Sequence, residues 1–236
     1  MKKVIVSIIV LMLISCSNTS PCEKEYEDQL GVELVLGLNE SVNTFERMLE
    51  VYYQSQPSTN LYSKFLNDVG HKTLDWNKFY ENTIELESIK EKVYQSGLYD
   101  ELVYKYIAVT DSTEGLIGRK YYYQPKHSSE PIDSITIRLD NRLDSIFKME
   151  GGIVEYIDVS KIDYTMSCSE QNSIIIKEYL ETKKSAGSIM PYLIAGGLLK
   201  HPSLKIDYFM KRIIVKEFLL YNVCKSIYNE RNLSHK

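Results

Sequence analysis

The last quarter of the chain carries the feature that most constrains its fold. Between about Leu204 and Asn229, apolar residues recur at steps of three and four and cover most sides of a helix. They are Ile206, Phe209, Met210, Ile213, Ile214, Phe218, Leu220, Tyr221, Val223, Cys224 and Ile227. Because a helix that is apolar on most sides is normally surrounded by other elements, the pattern predicts a central C-terminal helix.

Helical periodicity also runs through most of the remaining sequence. It predicts helices over residues 24–54, 61–70, 75–97, 99–123, 131–147, 173–184 and 189–200. Asp75 and Ser188 are suited to cap two of these helices, Pro191 suits a first helical turn, and Gly70 and Gly97 are suited to end others. The sequence therefore predicts an all-α fold, a multi-helix bundle of about seven to eight helices.

Two stretches of the middle of the chain fit more than one structure. Residues 135–139 alternate as a strand would, but the longer helical period around them favours a helix. Residues 153–159 fit a strand or a helix equally well. Residues 160–172 are rich in Ser, Asp and Asn and are predicted to form a loop.

The first sixteen residues differ in character from the rest. Lys2 and Lys3 give a basic start, an apolar run extends from Val4 to Ile14, and the run stops at Ser15 and Cys16. This run is too short to cross a bilayer, which takes about 20 residues. The order of basic, apolar and small residues is typical of a secretory signal.

The tetrapeptide Leu13-Ile14-Ser15-Cys16 resembles the lipobox of bacterial lipoproteins. The resemblance covers only these sixteen residues, and an ordinary signal peptide is the alternative. It implies that residues 1–15 are removed, that Cys16 is lipidated, and that residues 16–23 tether a helical domain, residues 24–236, to the membrane. Since Ser17 rather than an aspartate follows the cysteine, the outer membrane of a bacterial envelope is favoured.

The charge balance restricts the partners of such a protein. The chain has 28 Lys and Arg against 32 Asp and Glu, and removal of residues 1–15 leaves 26 against 32, a net charge of −6. Backbone binding to nucleic acid needs a basic face, so no nucleic-acid partner is expected. The expected partners are the membrane, through the lipid, and a protein of the envelope.

Three cysteines follow Cys16. They are Cys22, Cys168 and Cys224. An oxidising compartment permits one internal disulfide among them. Because Cys224 falls on the apolar face of the last helix, a buried free thiol is favoured there over a Cys168–Cys224 bridge.

Glu217 is the one carboxylate inside the apolar face of the last helix. It lies between Ile213 and Leu220, so it must be paired, protonated or turned to water at the edge of that face. The edge position is the commoner arrangement. If Glu217 is buried instead, it is a candidate acid, base or ligand anchor.

Tyrosine is unusually frequent, with nineteen residues against six Phe and one Trp. Tyr121, Tyr122 and Tyr123 form the densest group. A tyrosine combines an apolar ring with a hydrogen-bonding tip, which suits recognition of a sugar or a protein. Compositional bias alone would also produce such a run.

Catalytic motifs are weak. Ser145 and Lys148 match the Ser-x-x-Lys element of penicillin-recognising enzymes, but the Lys-Thr-Gly element is missing and chance accounts for the match. Asp68 and His71 could share a helix face, yet two ligands make no metal site. No cofactor and no metal are expected.

Three functions remain open. A non-enzymatic binding or assembly protein of the envelope is favoured. A small-ligand or glycan-binding protein that uses tyrosines is the second, and an enzyme with an unfamiliar site near Glu217 is the third.

Overall fold

The computed structural model describes residues 20–54, 60–81, 83–111, 118–124, 133–138, 154–156, 161–170, 173–186 and 189–233. Cys16 and the predicted signal peptide lie outside these ranges. Within them, no helix is both long enough and apolar enough to span a bilayer.

The first part of the chain is helical. Its elements are α1 (Pro21–Leu30), α2 (Val32–Tyr53), α3 (Leu61–Gly70), α4 (Trp76–Phe79), α5 (Thr83–Gln95) and α6 (Leu98–Leu102).

The predicted helix over residues 24–54 is in fact two helices. Ser20 and Glu23 form a reciprocal capping box, so α1 already starts at Pro21, inside the segment predicted to be a tether. Gly31 then adopts φ +88°, a conformation that glycine reaches easily, and it separates α1 from α2.

The predicted helix over residues 75–97 is also divided. Asp75 caps a helix as predicted, accepting a hydrogen bond from the backbone N–H of Lys78 at 3.1 Å. That helix, α4, has only four residues, and α5 begins afresh at Thr83. The predicted end of α3 at Gly70 is confirmed.

A four-stranded sheet follows the first helices. Its strands are β1 (Val103–Asp111), β2 (Gly118–Gln124), β3 (Asp133–Arg138) and β4 (Val154–Tyr156). They lie in the order β3-β2-β1-β4, and each neighbouring pair is antiparallel.

The helices predicted over residues 99–123 and 131–147 are therefore wrong wherever the structure describes them, apart from α6. The sequences of β1 and β2, VYKYIAVTD and GRKYYYQ, are rich in β-branched and aromatic residues, which favour strands. The alternation in residues 135–139 indicated the strand correctly. Residues 139–147 lie outside the described ranges.

The second helical part begins with α7 (Lys161–Tyr164) and α8 (Ser167–Glu170), where a loop was predicted. Two longer helices follow, α9 (Ile174–Ala186) and α10 (Pro191–Leu199), close to their predicted bounds. Pro191 occupies the first turn of α10 as expected, while Met190 stands at the cap position. The predicted cap Ser188 lies outside the described residues.

The last described residues form one long helix with a π-helical turn inside it. Its parts are α11 (Tyr208–Val215), the π-helical segment Lys216–Leu220 and α12 (Tyr221–Leu233), which together are the C-terminal helix. Asp207 caps it, accepting from the N–H of Met210 at 2.9 Å. Every residue from Phe209 to Leu220 is buried except Lys211, which is partly exposed, so the predicted central position is confirmed.

Side chains from other elements support the π-helical turn. The Phe218 carbonyl accepts hydrogen bonds from the Tyr80 hydroxyl and from the Asn222 side-chain amide. π-helical turns are often found at functional sites. Here the turn lies where two adjacent charged residues, Lys216 and Glu217, are both buried.

The predicted all-α multi-helix bundle is confirmed for the helical body, with the small sheet as an addition between α6 and α7. Aromatic rings join the body to its central helix. The Phe65 ring lies 5.1 Å from Phe45, 5.3 Å from Phe79 and 5.3 Å from Phe218, measured between ring centroids.

Candidate functional site

One disulfide, Cys22–Cys168, fastens α8 to α1 across 146 residues of sequence. This pairing was not predicted from the sequence. Cys224 is free and buried, which confirms the interpretation of that residue as a small apolar side chain. The alternative Cys168–Cys224 bridge is not formed.

Glu217 lies in the interior rather than at a wet edge of the C-terminal helix. Its Oε1 accepts a hydrogen bond from the Tyr179 hydroxyl at 2.5 Å. The same oxygen is 3.3 Å from Lys183 Nζ and 3.3 Å from Lys216 Nζ. Glu217 is thus buried and paired, with cations from two different helices.

Lys216 extends this arrangement to a second carboxylate. Its Nζ donates to both carboxylate oxygens of Asp163, at 2.5 and 2.6 Å, and both side chains are almost completely buried. Asp163, Lys183, Lys216 and Glu217, with the Tyr179 hydroxyl, form what we call the buried charge cluster. Its two cations and two anions give no formal net charge.

The charges in this cluster stabilise one another. Burial alone would lower the pKa of Lys216, but the carboxylates of Asp163 and Glu217 outweigh burial and raise that pKa above its ordinary value. Burial would raise the pKa of Glu217, but Lys216, Lys183 and the hydrogen bond from Tyr179 hold it below its ordinary value. Both groups stay charged near neutral pH, whereas general acid–base catalysis works best with a pKa near the operating pH.

Only Glu217 of this cluster was a candidate from sequence. The adjacent charges Lys216 and Glu217 inside the apolar run of residues 213–220 were a signal that both might be buried. Asp163 and Lys183 gave no such signal, because a predicted loop and a mixed helix are ordinary places for charge.

A second, partly buried polar cluster joins α1 and α2 to α11. Arg212 is buried, its guanidinium lies 3.4 Å from the centre of the Tyr208 ring, and it donates to the side-chain oxygen of Asn39. The Tyr208 hydroxyl donates to Glu27 at 2.6 Å. The Tyr26 hydroxyl and Arg212 Nε are buried without a hydrogen-bond partner among the described residues.

An open groove of about 340 Å³ separates α9 from α10, and we call it the α9–α10 groove. The wall from α9 consists of Ile175, Glu178, Tyr179 and Thr182. The wall from α10 and its flanks consists of Ile189, Leu193, Ile194, Gly197, Leu198 and His201. Tyr179 lines the groove and also bonds Glu217, so it joins the groove to the buried charge cluster.

A larger depression of about 570 Å³ lies between α2, α3 and the start of the C-terminal helix, and we call it the Tyr62 groove. The Tyr62 hydroxyl donates to Glu46 Oε1 at 3.3 Å, and Lys211 Nζ lies 2.7 Å from the same oxygen. Glu50 and Lys205 also line it, and neither has an ion-pair partner in the described part of the chain.

Tyr121, Tyr122 and Tyr123 lie on β2, an inner strand of the sheet. Tyr121 is opposite Ala108 of β1 and Ile135 of β3. The backbone of this run is thus paired on both sides. Its use as a recognition surface stays a prediction.

The weaker catalytic candidates do not assemble. His71 is exposed and its Nδ1 lies 2.9 Å from the Asn67 carbonyl, whereas the Asp68 carboxylate accepts from the Tyr53 hydroxyl at 2.7 Å. Ser145 and Lys148 lie outside the described residues. Over the ranges that the structure describes, no group of three His, Cys, Asp or Glu side chains is placed to hold a metal ion.

Comparison with known protein families, with curated proteins and with solved structures gives no match to this chain.

Proposed function

We propose that this chain is a lipid-anchored protein of a bacterial envelope, attached through Cys16, and that its helical body binds another envelope component without catalysing a reaction. The observation that supports the location is the Cys22–Cys168 disulfide. Disulfides form and persist in oxidising compartments, which include the bacterial periplasm and the cell surface. The signal-like start of the sequence supports the same location independently.

The binding role is supported by the contrast between the titratable groups and the grooves. The groups that converge around Glu217 are buried and paired, which suits a structural role better than a proton-transfer site. The two open grooves, of about 340 and 570 Å³, fall in the size range of ligand sites. The body therefore offers surfaces for binding and a core held by charge pairs.

Lipidation is tested in cells that express the full chain. We expect Cys16 to incorporate a clickable palmitate analogue, globomycin to cause an unprocessed form to accumulate, and Cys16→Ala to abolish both labelling and membrane retention. Cys224→Ala serves as the matched cysteine control and is expected to keep its label. Unchanged processing under globomycin, or membrane retention of unlabelled Cys16→Ala, would contradict the anchor.

The compartment has a separate readout. Mass spectrometry of protein taken from the envelope under alkylating conditions is expected to find the Cys22–Cys168 peptide pair oxidised and Cys224 alkylated after denaturation. If Cys22 and Cys168 are instead recovered as free thiols, the proposed oxidising location loses its structural support.

A second candidate function, small-ligand binding, is favoured by the Tyr62 groove. It is lined by apolar residues and by Glu50 and Lys205, which have no ion-pair partner among the described residues, and such a lining suits a small molecule that carries both an ammonium and a carboxylate. A thermal-shift series with free amino acids and dipeptides tests it. A shift that Glu50→Gln and Lys205→Met both abolish supports the site, and the absence of any shift counts against it.

A further inference from the structure

We propose that the α9–α10 groove is the docking site for an amphipathic helix of a partner protein, one whose apolar face is flanked by Lys or Arg. This deepens the binding role proposed above, because it names the surface and the chemistry of the partner.

The shape of the groove fits a helix. The lining positions on α9, Ile175, Glu178, Tyr179 and Thr182, are spaced so that they share one helical face. Glu178 near the start of α9 meets His201 just after α10, with Glu178 Oε2 3.0 Å from His201 Nε2, so the two helices form a hairpin. A groove between two helix faces accepts the side-chain ridges of a third helix.

The hairpin exposes large apolar side chains that its own fold does not cover. Leu193, which lines the groove, is 55% exposed, and Ile174 and Met190 on the same hairpin are also exposed. Apolar surface that is rimmed by polar groups is typical of an interaction site. Covering it is favourable by roughly 25 cal/mol per Å² of apolar area.

The charge at the rim selects the kind of occupant. Glu178 and Glu181 expose their carboxylates on α9, where Glu178 is paired with His201 and Glu181 lies 3.9 Å from Lys177. Of the described residues that line the groove, Glu178 is the one acidic residue, and none is Lys or Arg. Its exposed carboxylate disfavours a fatty-acid carboxylate or a lipid phosphate and attracts Lys or Arg, which favours a basic helix over a lipid tail.

Gly197 lines the groove on the α10 side. A Cβ added at this position meets no heavy atom within 4 Å, so the backbone there has room for a side chain. A larger residue in place of Gly197 also favours the helical state of α10. Gly197 therefore offers a way to fill the groove without unfolding the protein.

The test uses the mature chain and three fluorescent peptides of about 15 residues, roughly four helical turns. The first places leucines at i, i+3, i+4 and i+7 with lysines beside them. The second replaces the lysines with glutamates, and the third scrambles the order so that no face is apolar. We expect fluorescence anisotropy to show the basic peptide binding at least about tenfold tighter than the other two, with a difference that shrinks as salt rises.

Two variants and a matched control locate the binding. Leu193→Asp puts a charge at an apolar position of the groove, and Gly197→Leu adds a larger side chain to its lining. Each is expected to weaken binding of the basic peptide at least about tenfold. Leu36→Asp changes a leucine of nearly equal exposure, 53%, that does not line the groove, and it is expected to leave binding unchanged.

The proposal is overturned if the three peptides bind alike, if Leu36→Asp weakens binding as much as Leu193→Asp, or if laurate displaces the basic peptide from the groove. Circular dichroism checks that each variant is folded. Because these measurements use the isolated mature chain, their failure is distinguishable from failure of the Cys16 labelling that tests the envelope anchor.

Discussion

The buried charge cluster and the α9–α10 groove share Tyr179 and differ in charge and in exposure to solvent. The cluster consists of charged side chains paired with one another, and its Lys216 and Asp163 are out of contact with water. The groove is mainly apolar and open to solvent, and its Leu193 is largely exposed. The difference indicates that the cluster stabilises the fold, whereas the groove exposes apolar surface, as the proposed docking of a partner requires.

The largest effect is expected from Lys216→Met, which keeps most of the length of the side chain and removes its charge. It removes the ammonium that donates to both carboxylate oxygens of the buried Asp163, and loss of one member of a buried pair costs about 3–5 kcal/mol. Urea unfolding measures the change in the free energy of unfolding. The double variant Asp163→Asn/Lys216→Met is expected to lose clearly less than the sum of the single variants. Strict additivity would show that the two charges do not depend on each other.

Removal of the disulfide tests whether the buried charge cluster depends on the covalent link between α1 and α8. Cys22→Ser/Cys168→Ser frees α8 from α1, and loss of a native disulfide of this kind costs about 2–5 kcal/mol. Because Asp163 lies on α7 next to α8, hydrogen exchange is expected to rise in residues 161–170 and around Lys216. Exchange that rises only in α1 would contradict this connection between the disulfide and the cluster.

Tyr179→Phe separates the role of the cluster from that of the groove most directly, because the ring is kept and only the hydroxyl is lost. Glu217 loses a hydrogen bond, and a bond to a charged group is worth about 1.5–3 kcal/mol. We therefore expect lower stability in urea unfolding with unchanged affinity for the basic peptide. A loss of affinity at full stability would instead place the hydroxyl in the recognition site.

The pH dependence of stability reports on the same cluster. The pKa of Glu217 is lowered in the folded state, so its contribution is present above its unfolded value of 4.5 and is lost as pH falls through the folded value. Lys216 has a raised pKa, so its contribution is present below 10.5 and is lost as pH rises past the folded value. Urea unfolding from pH 3 to 7 is expected to show a smaller acid loss in Glu217→Gln than in the natural protein.

Most of the helical body was predictable from sequence because an apolar face repeats along its longer helices. The clearest case is the C-terminal helix, whose apolar positions cover most of its surface and whose burial follows directly. The sheet was not predictable in this way, since the helical spacing of Tyr99 and Leu102 is real but belongs to α6, and the β-forming residues from Val103 onward were counted as its continuation. Short apolar runs fit both periods, and content in β-branched and aromatic residues decides between them.

The candidate site was also only partly predictable from the sequence. Glu217 was identifiable because a carboxylate among apolar helix positions must be paired, protonated or turned to water. Burial with a partner was one of these three possibilities. Its partners Asp163 and Lys183 come from distant parts of the sequence, and only the packing of α7 and α9 against the C-terminal helix brings them together. The groove was likewise invisible, because Leu193 and Ile194 look like ordinary core positions of a short helix.

The smallest effect on stability is expected from Leu193→Asp, although the same change is expected to weaken peptide binding at least about tenfold. Leu193 is exposed, and substitutions at exposed positions away from caps and pairs usually alter the free energy of unfolding by less than about 0.5 kcal/mol. Urea unfolding of this variant is therefore expected to match that of Leu36→Asp. A loss of several kcal/mol would show that Leu193 is needed by the fold itself. The groove would then be part of the core, and the contrast with the buried charge cluster would not hold.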